Sequence, residues 1–158
     1  MHPISAVQVE YSLFCLDIES PQNDILRTCR ELGISIVAYS PIGRGLLTGN
    51  FRSYDDLPEQ SFLSMVPKYS RENFPKILQL VAEVEAVAKK HNVTPSQVCL
   101  AWVLAQGEEM IPIPGTRTIK YLEQNTAAAD LKFTAEEVSH LRAFSEATEL
   151  KGDRYPAR

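Results

Sequence analysis

The feature that most constrains the fold is a strand–helix–strand unit within the first 40 residues. Residues 34–39 form a short apolar run rich in β-branched side chains, which predicts a strand buried on both faces. Residues 4–11 alternate between apolar and polar, as a strand does. Between these segments, Ser20 and Pro21 indicate a helix start and Gly33 indicates its end. Because a helix between two such strands connects parallel neighbours, the sequence predicts an α/β fold with a parallel sheet.

The rest of the chain predicts a third strand and further helices. Residues 110–113 form another short apolar run, and residues 41–74 show no strong periodicity, which favours a long functional loop or a short helix of unknown position. Four more helices are predicted to start at Pro75, Thr94, Thr118 and Thr134, two of them with capping boxes. The sequence therefore predicts about three parallel strands and about five helices.

Length and composition set further limits. With 158 residues, 44% of them hydrophobic, we expect a single domain over residues 1–158. The formal net charge of −4 argues against a nucleic-acid partner, and no apolar run approaches the ~20 residues that cross a membrane. The N-terminus carries no signal pattern. Cys15, Cys29 and Cys99 show no metal-ligand spacing, so we expect no metal site and a reducing, cytoplasmic location.

The segment that follows residues 34–39 predicts a ligand site. Three glycines within seven residues allow close approach of the backbone, and Arg44 supplies a planar cation suited to a phosphate or carboxylate. Tyr39 offers an aromatic face at the end of the strand. In parallel α/β folds, ligand sites lie at this end of the strands. The alternative interpretation is a strand-to-loop exit that needs its glycines only for turns.

Three stretches resemble one enzyme family. Residues 38–45 (AYSPIGRG) are similar to the loop after the seventh strand of the aldo-keto reductases, and residues 7–13 (VQVEYSL) are similar to their sixth strand. Residues 111–117 (IPIPGTR), followed by residues 122–125 (LEQN), resemble the eighth strand and the helix that clamps the cofactor. The resemblance implies a partial TIM (β/α)8 barrel, comprising its C-terminal part from about the sixth strand onward.

A closed barrel needs eight strands and typically about 250 residues, so three strands cannot close one alone. The chain begins almost directly with a strand. We therefore expect a fragment, a truncated gene product, or a barrel that another chain completes.

The resemblance also implies an NADP(H) site. Gln8 matches the glutamine that binds the nicotinamide carboxamide, and Tyr39 matches the aromatic residue that stacks on the nicotinamide ring. The pyrophosphate is expected in a cradle of backbone N–H groups and one guanidinium, formed by Ser40, Pro41, Ile42, Gly43 and Arg44.

The other end of the cofactor is expected near residues 115–125. Gly115, Thr116 and Arg117 enter a helix and suit a 2′-phosphate, which favours NADP(H) over NAD(H). Tyr121, Gln124 and Asn125 match positions that contact adenine, although Gln124 replaces the usual glutamate and Tyr121 stands where many members have arginine. Each of these residues also has a structural explanation, as a solvated polar group, a packed tyrosine or a capped helix start.

The implied activity is the reversible reduction of aldehydes and ketones to alcohols with NADP(H). The family's catalytic tyrosine and its lysine, aspartate and histidine partners belong to strands before the sixth, so we expect no catalytic residue in this chain and no activity from it alone. The expected partners are a small carbonyl substrate and other copies of the chain, bound through open strand edges. The alternatives are a non-catalytic NADPH-binding or partner-binding module and an inactive truncation product.

Overall fold

The sheet of this protein has three parallel strands in the order β1-β2-β3. The structure is a computed structural model and describes residues 2–153. The strands are β1 (Ala6–Glu10), β2 (Ser35–Tyr39) and β3 (Met110–Pro112). Gln8 lies opposite Val37, and Val37 lies opposite Ile111. The predicted α/β fold with a parallel sheet is confirmed.

Six α-helices lie within residues 2–153. They are α1 (Ile25–Leu32), α2 (Phe62–Met65), α3 (Phe74–His91), α4 (Pro95–Leu104), α5 (Ile119–Ala127) and α6 (Ala135–Ala147). Short 3-10 turns occupy Asp17–Glu19, Gly43–Thr48, Tyr54–Asp56, Pro67–Tyr69 and Ala128–Asp130. The five predicted helices correspond to α1 and α3 to α6, and the one-turn α2 is additional.

Side-chain caps fix the starts of the later helices. In α4, Gln97 N donates to Thr94 Oγ1 at 3.3 Å and Thr94 N donates to Gln97 Oε1 at 3.0 Å. In α6, Glu137 N donates to Thr134 Oγ1 at 3.2 Å, and Thr134 N donates to Glu137 Oε2 at 2.9 Å. Both predicted capping boxes are confirmed, because these reciprocal bonds satisfy N–H groups that a helix start leaves unpaired.

The start of α1 differs from the prediction. Ser20 closes a turn instead of opening the helix, because its Oγ accepts from Asn23 N at 3.3 Å and its carbonyl accepts from Asp24 N at 2.8 Å. Asp24 then adopts a left-handed backbone with φ 49°. A left-handed residue cannot continue a right-handed helix, so α1 begins at Ile25.

The connection over residues 41–74 is built from short helical pieces. Three 3-10 turns and α2 follow one another within it. The buried Asn73 anchors its end, because Asn73 Nδ2 donates to the carbonyls of Lys68 at 2.9 Å and Lys151 at 2.7 Å. The segment therefore contains a short helix, α2, which was one of the two alternatives, and pieces this short produce no hydrophobic period.

Only one face of β2 is fully buried. Ile36 and Ala38 of β2 are completely buried against the helices, whereas the alternate residues, such as Val37 and Tyr39, are half-buried. The expectation that this strand is buried on both faces was therefore wrong. Within residues 2–153 the sheet has three strands, and three strands do not curl far enough to cover their own inner face.

Candidate functional site

A cavity of about 380 Å³ lies at the carboxyl ends of β2 and β3. The loop after β2 and the turn after β3 converge there because the carboxyl ends of parallel strands share one edge of a sheet. The lining residues are Ser40, Pro41, Ile42, Arg44, Gly45, Ile113, Pro114 and Gly115. Five of the predicted site residues therefore line one cavity.

The backbone of the loop after β2 has an unusual conformation. Ser40, Gly43, Arg44 and Gly45 all have positive φ, at 53°, 56°, 56° and 93°. Two tight turns hold the loop, because Gly43 N donates to the Ser40 carbonyl at 2.9 Å and Gly45 N donates to the Ile42 carbonyl at 3.0 Å. Turns that combine right-handed and left-handed residues direct successive N–H groups into a concavity, which suits an anion.

Arg44 contributes the cation at this concavity. It is half-buried, and its guanidinium carbon lies 4.2 Å from the centroid of the Phe62 ring in α2. A non-glycine residue in the left-handed region is uncommon and persists only where the surroundings hold it. The loop therefore places a planar, permanently charged donor beside the cavity, which is the group that binds phosphate or carboxylate best.

Gly43 has a packing role. It is buried, and a Cβ atom at this position would lie 2.5 Å from Cδ2 of the Phe14 ring. The close approach predicted for this loop is therefore made to the protein's own Phe14. Among the predicted loop residues, Gly43 alone does not line the cavity.

Gln8 and Tyr39 lie on the half-buried face of the sheet. Gln8 of β1 lies opposite Val37 of β2, so these two side chains share a face of the sheet. Tyr39 follows Val37 by two residues in β2, so its side chain projects from the same face as that of Gln8. Gln8 is exposed and Tyr39 is half-buried. Tyr39 directly precedes the cavity-lining Ser40 but does not line the cavity itself.

The predicted residues near α5 are mostly exposed. Thr116 Oγ1 donates to the Thr118 carbonyl at 3.3 Å, and Thr118 Oγ1 caps α5 by accepting from Tyr121 N at 3.3 Å. Thr116, Arg117 and Tyr121 are exposed. Three residues separate Gly115 from the start of α5, so these groups are close in sequence to the cavity but do not line it.

Gln124 and Asn125 lie further along α5 and are half-buried. Asn125 lines a second, largely apolar cavity of about 290 Å³ between α4, β3 and α5. The two cavities share Pro114, which forms part of the wall of each. Asn125 and Arg44 therefore line two different cavities, and Pro114 lies between them.

Sequence reasoning did not select Gly45, Ile113 or Pro114, which also line the first cavity. All three belong to the quoted motifs, so their position next to selected residues was the available signal. Phe62 had no such signal, because it lies in a single helical turn without periodicity.

A partly buried polar cluster lies away from this cavity, around Tyr11. The Tyr11 hydroxyl donates to Glu19 Oε1, and Arg142 Nη1 donates to Glu19 Oε2 at 2.6 Å. Burial, together with the hydrogen bond to the Glu19 carboxylate, raises the pKa of Tyr11 well above its usual range. Tyr11 is completely buried beside Trp102, with 5.7 Å between ring centroids, so it supports the core.

A further cavity of about 460 Å³ lies between the 3-10 turn Asp17–Glu19 and the end of α6. None of the predicted site residues lines it. Within residues 2–153, His, Cys, Asp and Glu form no group of three or more that could hold a metal ion. In the same range, no helix is both long enough and apolar enough to span a membrane.

Comparison with known proteins gives consistent matches. A model of the aldo/keto reductase family matches residues 1–146. The aldo-keto reductase str7 of Strobilurus tenacellus is 56% identical over 154 residues, which are 98% of this chain and 46% of that protein. The aldo-keto reductase yakc [NADP(+)] of Schizosaccharomyces pombe is 48% identical over 156 residues, which are 99% of this chain and 46% of that protein. The chain thus spans about half the length of the curated relatives it matches.

A solved structure agrees with these matches. The glycerol dehydrogenase AKR11B4 from Gluconobacter oxydans superposes with a TM-score of 0.83 at 26% identity, over 99% of this chain and 47% of that one. The three parallel strands and their helices therefore match part of a TIM barrel.

Proposed function

The chain belongs to the aldo/keto reductase family, and from that premise we propose that it forms the NADP(H)-binding part of a carbonyl reductase site. We assign it to the C-terminal part of the barrel, from about the sixth strand onward. The observation that carries the proposal is the cavity at the carboxyl ends of β2 and β3, where a left-handed loop bearing Arg44 meets the turn at Gly115.

The residues present fit a dinucleotide phosphate. The concave backbone and the guanidinium of Arg44 supply donors for the pyrophosphate. Thr116 and Arg117, both exposed beside the start of α5, supply a hydroxyl and a cation for the 2′-phosphate.

The nicotinamide end would meet Tyr39 and Gln8. Tyr39, the residue before the cavity-lining Ser40, offers a flat ring for stacking, and the Gln8 amide projects from the same face of the sheet to orient a carboxamide. We assign adenine contacts to Tyr121, Gln124 and Asn125 on α5. When bound, NADPH supplies the hydride for the reduction of an aldehyde or ketone, while these residues bind and orient it.

A second candidate function is NADPH binding without catalysis. The position of Tyr11 favours this for the isolated chain. Its hydroxyl is buried and bonded to Glu19, so it cannot take over the role of a general acid at the open cavity. In the whole-barrel interpretation, the acid and its partners would come from the strands that precede the sixth.

Replacing Arg117 tests the cofactor assignment. We expect Arg117→Ala to weaken NADPH binding about tenfold to a hundredfold, because a charge-assisted hydrogen bond contributes roughly 1.5–3 kcal/mol. NADH binding should stay nearly constant, since NADH lacks the 2′-phosphate. Both affinities are measured by cofactor fluorescence titration of the purified chain.

Lys120→Ala is the matched control, because Lys120 is an exposed cation three residues after Arg117, in the first turn of α5. It should change neither affinity by more than about twofold, the effect of a solvated charge. Equal losses of NADPH and NADH in Arg117→Ala would assign Arg117 to structural support and remove the argument for NADP(H).

A further inference from the structure

The ring of Phe62 lies against the guanidinium of Arg44, although the two residues come from different segments. The guanidinium carbon is 4.2 Å from the ring centroid, within the range of a cation–π contact. We propose that Phe62 is a positioning residue that holds Arg44 at the cavity and so sets the affinity for the cofactor's phosphates. This inference rests on the proposed NADP(H) site.

Arg44 lies in a loop whose backbone is fixed by two tight turns, so side-chain contacts such as that with Phe62 limit its χ angles. It has φ 56° and stands between Gly43 and Gly45, which have φ 56° and 93°. A long arginine side chain on a loop of this kind has many rotamers to lose when it binds an anion. Stacking on an aromatic ring removes part of that freedom before the ligand arrives, which is preorganisation.

Phe62 is itself held in place from the core. It begins the one-turn helix α2, whose start is capped by Ser61 Oγ accepting from Ser64 N at 3.3 Å. The Tyr54 hydroxyl donates to the Ser64 carbonyl at 3.3 Å. The Tyr54 ring in turn packs edge-on against Phe74, which is buried at the start of α3, with 5.8 Å between centroids. These contacts connect Phe62 to the buried start of α3, so the core holds Phe62 in its position.

Stacking and anion binding are compatible at one guanidinium. A ring that stacks on the face of a guanidinium leaves its N–H donors available, because they point outward in its plane. Arg44 also lines the cavity together with Gly45 and Gly115. Phe62 can therefore fix the orientation of the group without occupying its donor directions.

The test is a double-mutant cycle on the 158-residue chain, read by NADPH fluorescence titration. Phe62→Leu keeps an apolar side chain but removes the π face. It should weaken NADPH binding about threefold to tenfold, the effect of a partly exposed cation–π contact. Phe62→Tyr should bind as the wild type does. In an Arg44→Ala background, Phe62→Leu should have no further effect, because its partner is gone.

Met65→Leu serves as the matched control, since Met65 is an exposed apolar residue of the same helical turn. It should leave the affinity unchanged. Unaltered NADPH binding in Phe62→Leu, or an equal loss with and without Arg44, would overturn the inference while leaving the proposed function intact. A wild-type chain that binds no NADPH would refute the proposed function and the inference together.

Discussion

Glu137 links α6 to α3 through an almost buried carboxylate, and its replacement by glutamine gives a quantitative test of the structure. Glu137 Oε1 accepts from Lys90 Nζ at 2.6 Å and lies 2.8 Å from His91 Nε2. The Lys90 hydrogen bond, followed by that from Thr134 N, holds the pKa of Glu137 at about 2, compared with its usual 4.5.

The size of the effect follows from this shift. The difference between 4.5 and about 2 is roughly 2.5 pKa units and corresponds to about 3.4 kcal/mol of folding free energy, at about 1.36 kcal/mol per unit. That figure is an upper limit, because the Lys90 side chain is 66% exposed and water screens its charge. We expect Glu137→Gln to lower the free energy of unfolding at pH 7 by about 1–2 kcal/mol.

The pH dependence has a definite sign. A depressed pKa means that the folded chain binds fewer protons than the unfolded chain, so the contribution of Glu137 is complete above pH 4.5. It is lost as the pH falls towards about 2. The difference between wild type and Glu137→Gln should therefore shrink through this acidic range.

Urea denaturation followed by circular dichroism, at several pH values from neutral to acidic, measures this difference. Glu136→Gln is the control, because Glu136 is an exposed carboxylate in the same turn. Equal stability of wild type and Glu137→Gln at pH 7 would refute the reasoning. A difference that stays constant down to pH 2 would also refute it.

Three further predictions concern packing, assembly and catalysis. Gly43→Ala should lower the free energy of unfolding by about 2–4 kcal/mol, because it combines a left-handed alanine with a clash against Phe14. Gly45→Ala should lower it by only about 1–2 kcal/mol, because its Cβ meets no atom within 4 Å. Thermal or urea unfolding of the two variants measures the difference. Sedimentation should show self-association at high micromolar concentration, because β1 and β3 are sheet edges and Ile113 is 42% exposed; a well-folded monomer would contradict this. The purified chain should not oxidise NADPH with a nitrobenzaldehyde, and turnover that disappears in Tyr11→Phe would show that it had built its own acid.

Local chemistry explains which parts of the fold were predictable. The Thr94 and Thr134 capping boxes formed because their bonds are made within one helical turn, so sequence alone contains them. The start of α1 depends instead on the left-handed backbone of Asp24, which propensity does not reveal. Leu32, an apolar residue at the end of α1, is 67% exposed, because which side of a helix end is covered depends on its neighbours.

In the candidate site, too, features set by local sequence were predictable and features set by tertiary contacts were not. The motif around Arg44 predicted the loop at the end of β2, and the structure does form a cavity there. The separation of Asn125 into a second cavity and the contact between Arg44 and Phe62 result from how α5 and α2 pack. Such contacts join residues distant in the chain, so spacing within a motif could not predict them.

The exposure of α5 determines how readily this helix opens. None of its nine residues is fully buried, and Ile119 and Leu122 are 76% and 56% exposed. A helix this short is marginal without burial, so α5 should open at a lower free energy than α3 or α4 and exchange its amide hydrogens sooner. Any ligand that contacts Gln124 then binds only the fraction of molecules in which α5 is folded. Its binding should slow amide hydrogen exchange along α5 before it changes exchange in the sheet.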